Sequence, residues 1–130
     1  YSISSSVMIV LIAQVTVETT GTMLMGSEIG AALNALEPLG IDLIGLNCAT
    51  GPAEMSEHLR VLSKGASVGI SVMPNAGLPQ LVGADFVYTG TPTEMGEFAT
   101  EMKALGIKAI GSCCGSTSTH TAAIAGALKS

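Results

Sequence analysis

Residues 41–73 read IDLIGLNCATGPAEMSEHLRVLSKGASVGISVM, and this stretch alternates between two patterns. Segments 41–46 and 66–73 are short and apolar, as strands buried on both faces are. Between them, residues 52–63 begin with a proline in the first turn and are followed by Gly65, which is typical of a helix. The stretch therefore predicts a strand–helix–strand unit, and such a connection joins parallel strands.

The same alternation extends over the rest of the chain. It predicts a first strand over 7–17 that is buried on both faces, helices over 27–39 and 93–105, and a fourth strand over 107–110. A last helix is expected to start at a cap formed by Ser118 or Thr119 and to run to about residue 128. Residues 78–90 show neither period and read as an irregular connection.

Four strand–helix units indicate an α/β protein with a parallel sheet and right-handed crossovers. A (β/α)8 barrel needs about 250 residues, so the 130 residues here correspond to about half of one. A small open doubly wound sheet is the alternative. The sequence contains neither a G-x-G-x-x-G motif after the first strand nor a P-loop, so a nucleotide site has no support.

Composition excludes several classes of function. With 48% apolar and 12% charged residues, the chain fits one folded domain. Its net charge of −5 provides no basic surface for nucleic acid or an anionic membrane. The apolar run over 7–17 is shorter than the about 20 residues that a membrane span needs. Three cysteines, two of them adjacent, suit a disulfide framework poorly, so a reducing, cytoplasmic compartment is expected.

Polar residues with chemical potential follow the predicted strands. Glu18 follows the first strand, Cys48 the second, Asn75 the third, and Cys113 and Cys114 the fourth. Because the carboxyl ends of parallel strands meet at one edge, these side chains are expected to lie together. Three thiolates with one open position make a reasonable zinc shell. Glycines at 111 and 115 provide the backbone freedom that two adjacent ligands need.

A metal centre of this kind favours chemistry at sulfur. Three thiolates leave Zn²⁺ with net negative charge, which makes it a poor generator of hydroxide, but a coordinating thiol still loses its proton. Simpler interpretations stay open for single residues. Cys48 alone resembles a small core residue, Asn75 a turn residue, His58 part of a solvated helix face, and His120 a structural residue in the first turn of the last helix.

Two cysteine motifs carry a resemblance to a known family. The segments GLNCA at 45–49 and GSCCG at 111–115, with Cys48 and Cys113 separated by 65 positions, resemble the zinc motifs of the homocysteine S-methyltransferase family. The segments VETTGTM at 17–23, ATGP at 49–52 and MPNAGLP at 73–79 are similar to its cobalamin-dependent methionine synthase branch. The resemblance runs from about residue 9 to residue 128.

The resemblance implies a specific fold and activity. Residues 1–130 would form a partial homocysteine-binding domain, the C-terminal half of a TIM barrel with four βα units. Cys48, Cys113 and Cys114 would bind Zn²⁺, and Asn75 would be the fourth ligand when substrate is absent. L-homocysteine would replace Asn75, bind as a zinc thiolate and accept a methyl group from methylcobalamin on another domain, giving methionine.

Two further interpretations stay open beside this one. The first four βα units and the folate and cobalamin domains of that branch have no counterpart in the chain, so the isolated chain is expected to be inactive alone. It would then be a truncated, non-catalytic zinc module. Alternatively, two copies could pair into a complete barrel, because an open half-barrel exposes strand edges and apolar surface.

Overall fold

The computed structural model describes residues 8–16, 27–47 and 51–130, and all structural statements refer to these residues. Strands and helices alternate in the order that the sequence predicts. In chain order the elements are β1 (Ile12–Val15), α1 (Ser27–Leu36) with a 3-10 turn (Glu37–Leu39), β2 (Leu43–Asn47), α2 (Pro52–Gly65), β3 (Gly69–Met73), β4 (Pro79–Val82), β5 (Asp85–Tyr88), α3 (Pro92–Ala104), β6 (Ala109–Ile110) and α4 (Ser118–Lys129).

Four strands form one parallel sheet in the order β1-β2-β3-β6. Ile12 is in register with Leu43, and Leu43 with Gly69, while Val72 pairs with Ile110 at the other end of the sheet. Each neighbouring pair is connected through a helix, as parallel strands require. This arrangement confirms the predicted α/β class and is the one expected of part of a TIM barrel.

The main core lies between the sheet and α1, α2 and α3. Alternate strand residues such as Ile44, Leu46 and Val72 are buried against helix residues such as Leu59 and Met102. Burial of each of these side chains contributes about 1.5–3 kcal/mol, so this packing sets the orientation of the sheet. A smaller cluster joins α3 to α4 through buried residues, namely Met95, Ala99 and Ile124.

On the sheet face that points away from the helices, the residues in the middle of three strands are small or polar. Gln14, Gly45 and Ser71 are aligned across three strands. A Cβ atom on Gly45 would lie 3.1 Å from Gln14 Cγ and 3.2 Å from Ser71 Cβ, so the strands hold these side chains close together. Gln14 Nε2 also lies 3.6 Å from Met73 Sδ.

The structure corrects several local expectations. The described part of segment 7–17 forms a strand only over Ile12–Val15, which alternates between exposed and half-buried, so the prediction of burial on both faces is wrong. The reason is that β1 is an edge strand of the sheet. His58, assigned to a solvated face, is buried in α2. The last helix has Thr117 as its N-cap rather than Ser118 or Thr119.

The predicted irregular connection over 78–90 contains an antiparallel hairpin formed by β4 and β5. The hairpin is inserted between the carboxyl end of β3 and the start of α3. It projects Leu81 and Phe86, which pair across the strands and are both exposed.

None of the described helices has the length and apolar character needed to cross a membrane.

Candidate metal centre

Three backbone and side-chain hydrogen bonds join the loop after β3 to the loop after β6. The Cys113 N–H donates to the Pro74 carbonyl at 2.8 Å, and the Ala76 N–H donates to the Cys114 carbonyl at 2.9 Å. The Cys114 N–H donates to Asn75 Oδ1 at 3.2 Å. The structure therefore brings three of the predicted site residues, Asn75, Cys113 and Cys114, together at the carboxyl end of the sheet.

The two adjacent thiols lie on a turn rather than on a strand. β6 ends at Ile110, the Ser116 N–H donates to the Cys113 carbonyl at 3.2 Å, and Gly115 has a left-handed φ of +79°. Because the chain turns here, the two side chains are not forced to opposite faces as they would be on a strand. Their sulfur atoms lie 3.9 Å apart.

This sulfur separation matches what a shared zinc ion requires. Two sulfur ligands at about 2.3 Å in a tetrahedral shell lie about 3.8 Å from each other, against 3.9 Å for Cys113 Sγ and Cys114 Sγ. Cys113 is half-buried and Cys114 is exposed, so the pair lies at the protein surface. The donor set and its spacing fit a metal of the zinc type.

Asn75 is held in place rather than placed freely on a turn. It is 4% exposed, and its Oδ1 accepts the Cys114 N–H. An amide oxygen has two lone pairs, so accepting one hydrogen bond leaves capacity for a second interaction.

The third predicted cysteine, Cys48, lies outside the described residues, as does Glu18. Asn47, which precedes Cys48 in sequence, is the last residue of β2 and is in register with Met73. Within the described part of the chain, no group of three His, Cys, Asp or Glu side chains that could hold a metal occurs. The complete ligand set of Cys48, Cys113 and Cys114 thus stays a prediction.

Glycines allow the loops around the site to approach each other closely. The Gly90 N–H donates to the Ala76 carbonyl at 2.8 Å. A Cβ atom on Gly90 would lie 2.5 Å from the Ala76 carbonyl carbon, and one on Gly51 would lie 2.9 Å from Gly77 Cα. Side chains at these two positions would therefore push the loop that carries Asn75 out of place.

His120 is a residue whose contacts the sequence did not predict. Its Nδ1 accepts the Thr117 N–H at 3.1 Å, and its Nε2 lies 2.8 Å from the Gly90 carbonyl oxygen. Its position three residues after a threonine N-cap was the available signal for the first contact. No local pattern indicates the second, since Gly90 lies 30 positions away in sequence.

A carboxyl group with a lowered pKa lies at the opposite end of the sheet. The backbone N–H and the hydroxyl of Ser67 both donate to Glu37 Oε1, at 2.6 and 2.8 Å, and these bonds lower the pKa of the Glu37 carboxyl. Glu37 precedes β2 and Ser67 precedes β3, so this contact joins the amino ends of the strands and belongs to the fold.

The fold and the site together define a class of protein: a parallel α/β half-barrel with adjacent thiols and a buried asparagine at the carboxyl end of its strands. Comparison with known proteins narrows that class. The homocysteine S-methyltransferase family matches residues 3–128, and the chain belongs to this family. The family resemblance carried by the two cysteine motifs is thereby confirmed.

Two similar proteins are both methionine synthases. The one from Mycobacterium tuberculosis (strain ATCC 25618 / H37Rv) is 59% identical over 117 residues, which are 89% of this chain and 10% of the relative. The one from Mycobacterium leprae (strain TN) is 60% identical over 115 residues, covering 88% of this chain and 10% of the relative. The chain thus spans about a tenth of the length of these relatives.

Proposed function

We propose that the chain is the zinc-binding part of a homocysteine S-methyltransferase of the methionine synthase type. Its role is to hold homocysteine as a reactive sulfur nucleophile. The observation that carries the proposal is that the loops after β3 and β6 meet at the carboxyl end of the sheet. There Cys113 Sγ and Cys114 Sγ lie 3.9 Å apart, and Asn75 Oδ1 accepts a hydrogen bond from the Cys114 N–H. Family membership supports homocysteine as the substrate.

Cys48, Cys113 and Cys114 would hold the zinc ion, with Asn75 Oδ1 as the fourth ligand in the absence of substrate. When bound, zinc supplies acidification of a coordinating thiol, because such a thiol loses its proton. The chain's own contribution is positional. The hydrogen bond from the Cys114 N–H keeps the Asn75 oxygen next to the thiol turn, where an incoming substrate sulfur could take its place.

The reaction itself forms a bond between the homocysteine sulfur and a methyl carbon. The electron pair of the bond that held the methyl group stays with the donor. The methylated homocysteine is methionine. In the proposed assignment the donor is methylcobalamin on another domain. Half of a barrel and the folate and cobalamin domains would be provided elsewhere in the longer protein, since the relatives are about ten times longer than the matched segment.

The proposal is tested by the zinc content of freshly purified, reduced protein. The parent chain is expected to bind one zinc ion, and Cys114→Ser and Cys48→Ser are each expected to weaken binding strongly and to lower stability, because metal binding is linked to folding. Ser116→Ala is the matched control in the same turn, since its buried hydroxyl has no hydrogen-bond partner among the described residues. Parent-like zinc content in Cys114→Ser would remove Cys114 from the ligand set.

A second candidate is a zinc module that pairs with a copy of itself. It is favoured by the unpaired edge of β1 in the described sheet and by the exposed apolar residues Met8, Ile9 and Val10, which precede this strand. Unpaired strand edges of this kind tend to recruit another chain. A dimeric mass in solution that shifts to the monomer in an Ile9→Lys variant would support self-pairing, and a monomeric parent chain would exclude it.

A further inference from the structure

The imidazole of His120 connects two segments that flank the candidate metal centre. One is the start of α4, where the Thr117 N–H donates to Nδ1. The other is the loop before α3, where Nε2 lies 2.8 Å from the Gly90 carbonyl oxygen. We propose that His120 is a positioning residue, which holds the turn of Cys113 and Cys114 against the loop that carries Asn75. In its effect on metal binding this inference rests on the proposed function.

The hydrogen-bond partners determine which ring nitrogen carries the proton. A backbone N–H can only donate, so Nδ1 of His120 must be the acceptor for Thr117. In a neutral imidazole the proton is then on Nε2, and a carbonyl oxygen can only accept. His120 therefore donates from Nε2 to Gly90, while Nδ1 faces both the backbone N–H and, at 2.9 Å, the hydroxyl of Thr117.

From Gly90, further hydrogen bonds lead to the turn of Cys113 and Cys114. The Gly90 N–H donates to the Ala76 carbonyl at 2.8 Å, and the Ala76 N–H donates to the Cys114 carbonyl at 2.9 Å. Thr117 follows Cys114 by three residues, so the contacts form a closed ring through Cys114, Thr117, His120, Gly90 and Ala76.

A closed set of hydrogen bonds restricts the movement of the loops at the site more than the separate bonds would. The segment from Cys114 to Thr117 is fixed at both ends, and the Asn75 side chain bonds to the Cys114 N–H inside the ring. Loss of the bond from the His120 side chain to Gly90 interrupts this closed set of hydrogen bonds. It removes the link between α4 and Gly90 and leaves the Gly90 carbonyl without this donor. The two sulfur atoms and the Asn75 oxygen would then have to be ordered when a ligand binds, and this ordering lowers affinity.

An isosteric pair of variants separates the two functions of His120. Glutamine has an acceptor for the Thr117 N–H and an N–H donor for Gly90. Glutamate has only acceptors, so it keeps the helix cap, as the third residue after a threonine cap commonly does, but cannot donate to Gly90. The measurements are hydrogen exchange of the Ala76 and Gly90 amides, urea unfolding, and zinc affinity by competition with a chromophoric chelator.

His120→Glu is expected to unfold at a slightly lower urea concentration than the parent chain, because the cap is kept and only the bond to Gly90 is lost. Its Ala76 and Gly90 amides should exchange about two- to tenfold faster, which is the range for loss of one hydrogen bond, and zinc affinity should fall by a similar factor. His120→Gln should restore parent values in both measurements.

Unchanged amide exchange in His120→Glu would overturn the inference, as would equal losses in the Glu and Gln variants. A parent chain that binds no zinc would contradict the proposed function but would leave the exchange measurement decisive for His120. Faster exchange in His120→Glu with parent-like zinc affinity would also overturn the inference, because the bridge would then not position the metal ligands.

Discussion

The backbone contact between Gly90 and Ala76 should not tolerate a side chain. In Gly90→Ala the new Cβ atom would lie 2.5 Å from the Ala76 carbonyl carbon, 2.7 Å from its oxygen and 2.8 Å from the Gly77 nitrogen, where ordinary contacts are 3.4–4 Å. All three atoms belong to the backbone, so no side-chain rotation relieves the overlap. The two loops must therefore move apart.

The loss of unfolding free energy follows from the overpacking and from the hydrogen bonds of Gly90 that the movement weakens. Overpacking of this kind costs about 1–3 kcal/mol. The 2.8 Å bond from the Gly90 N–H to Ala76 and the 2.8 Å bond from His120 to the Gly90 carbonyl weaken with it, at about 0.5–1.5 kcal/mol each. We expect Gly90→Ala to lower the free energy of unfolding by about 2–6 kcal/mol.

Urea unfolding followed by far-ultraviolet circular dichroism measures this change. Gly126→Ala is the matched control, because a Cβ atom at Gly126 in α4 meets nothing within 4 Å. Alanine in place of a helical glycine stabilises by about 0.5–1 kcal/mol, so the same chemical change should have opposite signs at the two positions. A Gly90→Ala chain as stable as the parent would refute the close approach of the two loops.

Two further predictions concern the fold around the site. Thr91→Ala removes the hydroxyl that accepts the Glu94 N–H at the start of α3; it should cost about 1 kcal/mol in thermal unfolding, and an unchanged melting temperature would contradict the capping role. Glu37 has a lowered pKa in the folded chain because Ser67 donates to its carboxylate. Its stabilising contribution is therefore present above the usual carboxyl pKa of 4.5 and is lost as pH falls through the lower pKa of the folded chain. Glu37→Gln should make unfolding stability less dependent on pH in that acidic range, and an identical pH profile would contradict the prediction.

Much of the fold could be predicted because local patterns and tertiary packing agree. Apolar runs such as 41–46 and 66–73, separated by a helix that begins at Pro52, correspond to β2, α2 and β3 with shifts of a few residues at their ends. The sequence does not predict the hairpin of β4 and β5, because nearly all residues of its two strands are exposed and no alternation of buried and exposed residues marks them.

Other features depend on contacts that a local pattern does not contain. His58 was assigned to a solvated face from its charged neighbours, but α2 turns it into the protein, where it is 7% exposed. The first strand was expected to be buried on both faces, and its place at the edge of the described sheet leaves Ile12 exposed.

At the candidate site, too, local patterns predict some features, and others depend on tertiary contacts. The positions of Asn75, Cys113 and Cys114 after strands predicted that they would share one rim, because parallel strands end together. The bond from the Cys114 N–H to Asn75 and the bridge from His120 to Gly90 join residues 39 and 30 positions apart. Such contacts require knowledge of how the loops pack.

Zinc-edge X-ray absorption of the reduced chain, with and without L-homocysteine, tests most directly whether three cysteines hold one metal with a position for substrate. We expect three sulfur ligands at about 2.3 Å and one lighter ligand in the free protein, and a fourth sulfur in place of the lighter ligand after L-homocysteine is added. Fewer than three sulfur ligands in the free protein, or a shell that L-homocysteine leaves unchanged, would contradict the proposed site.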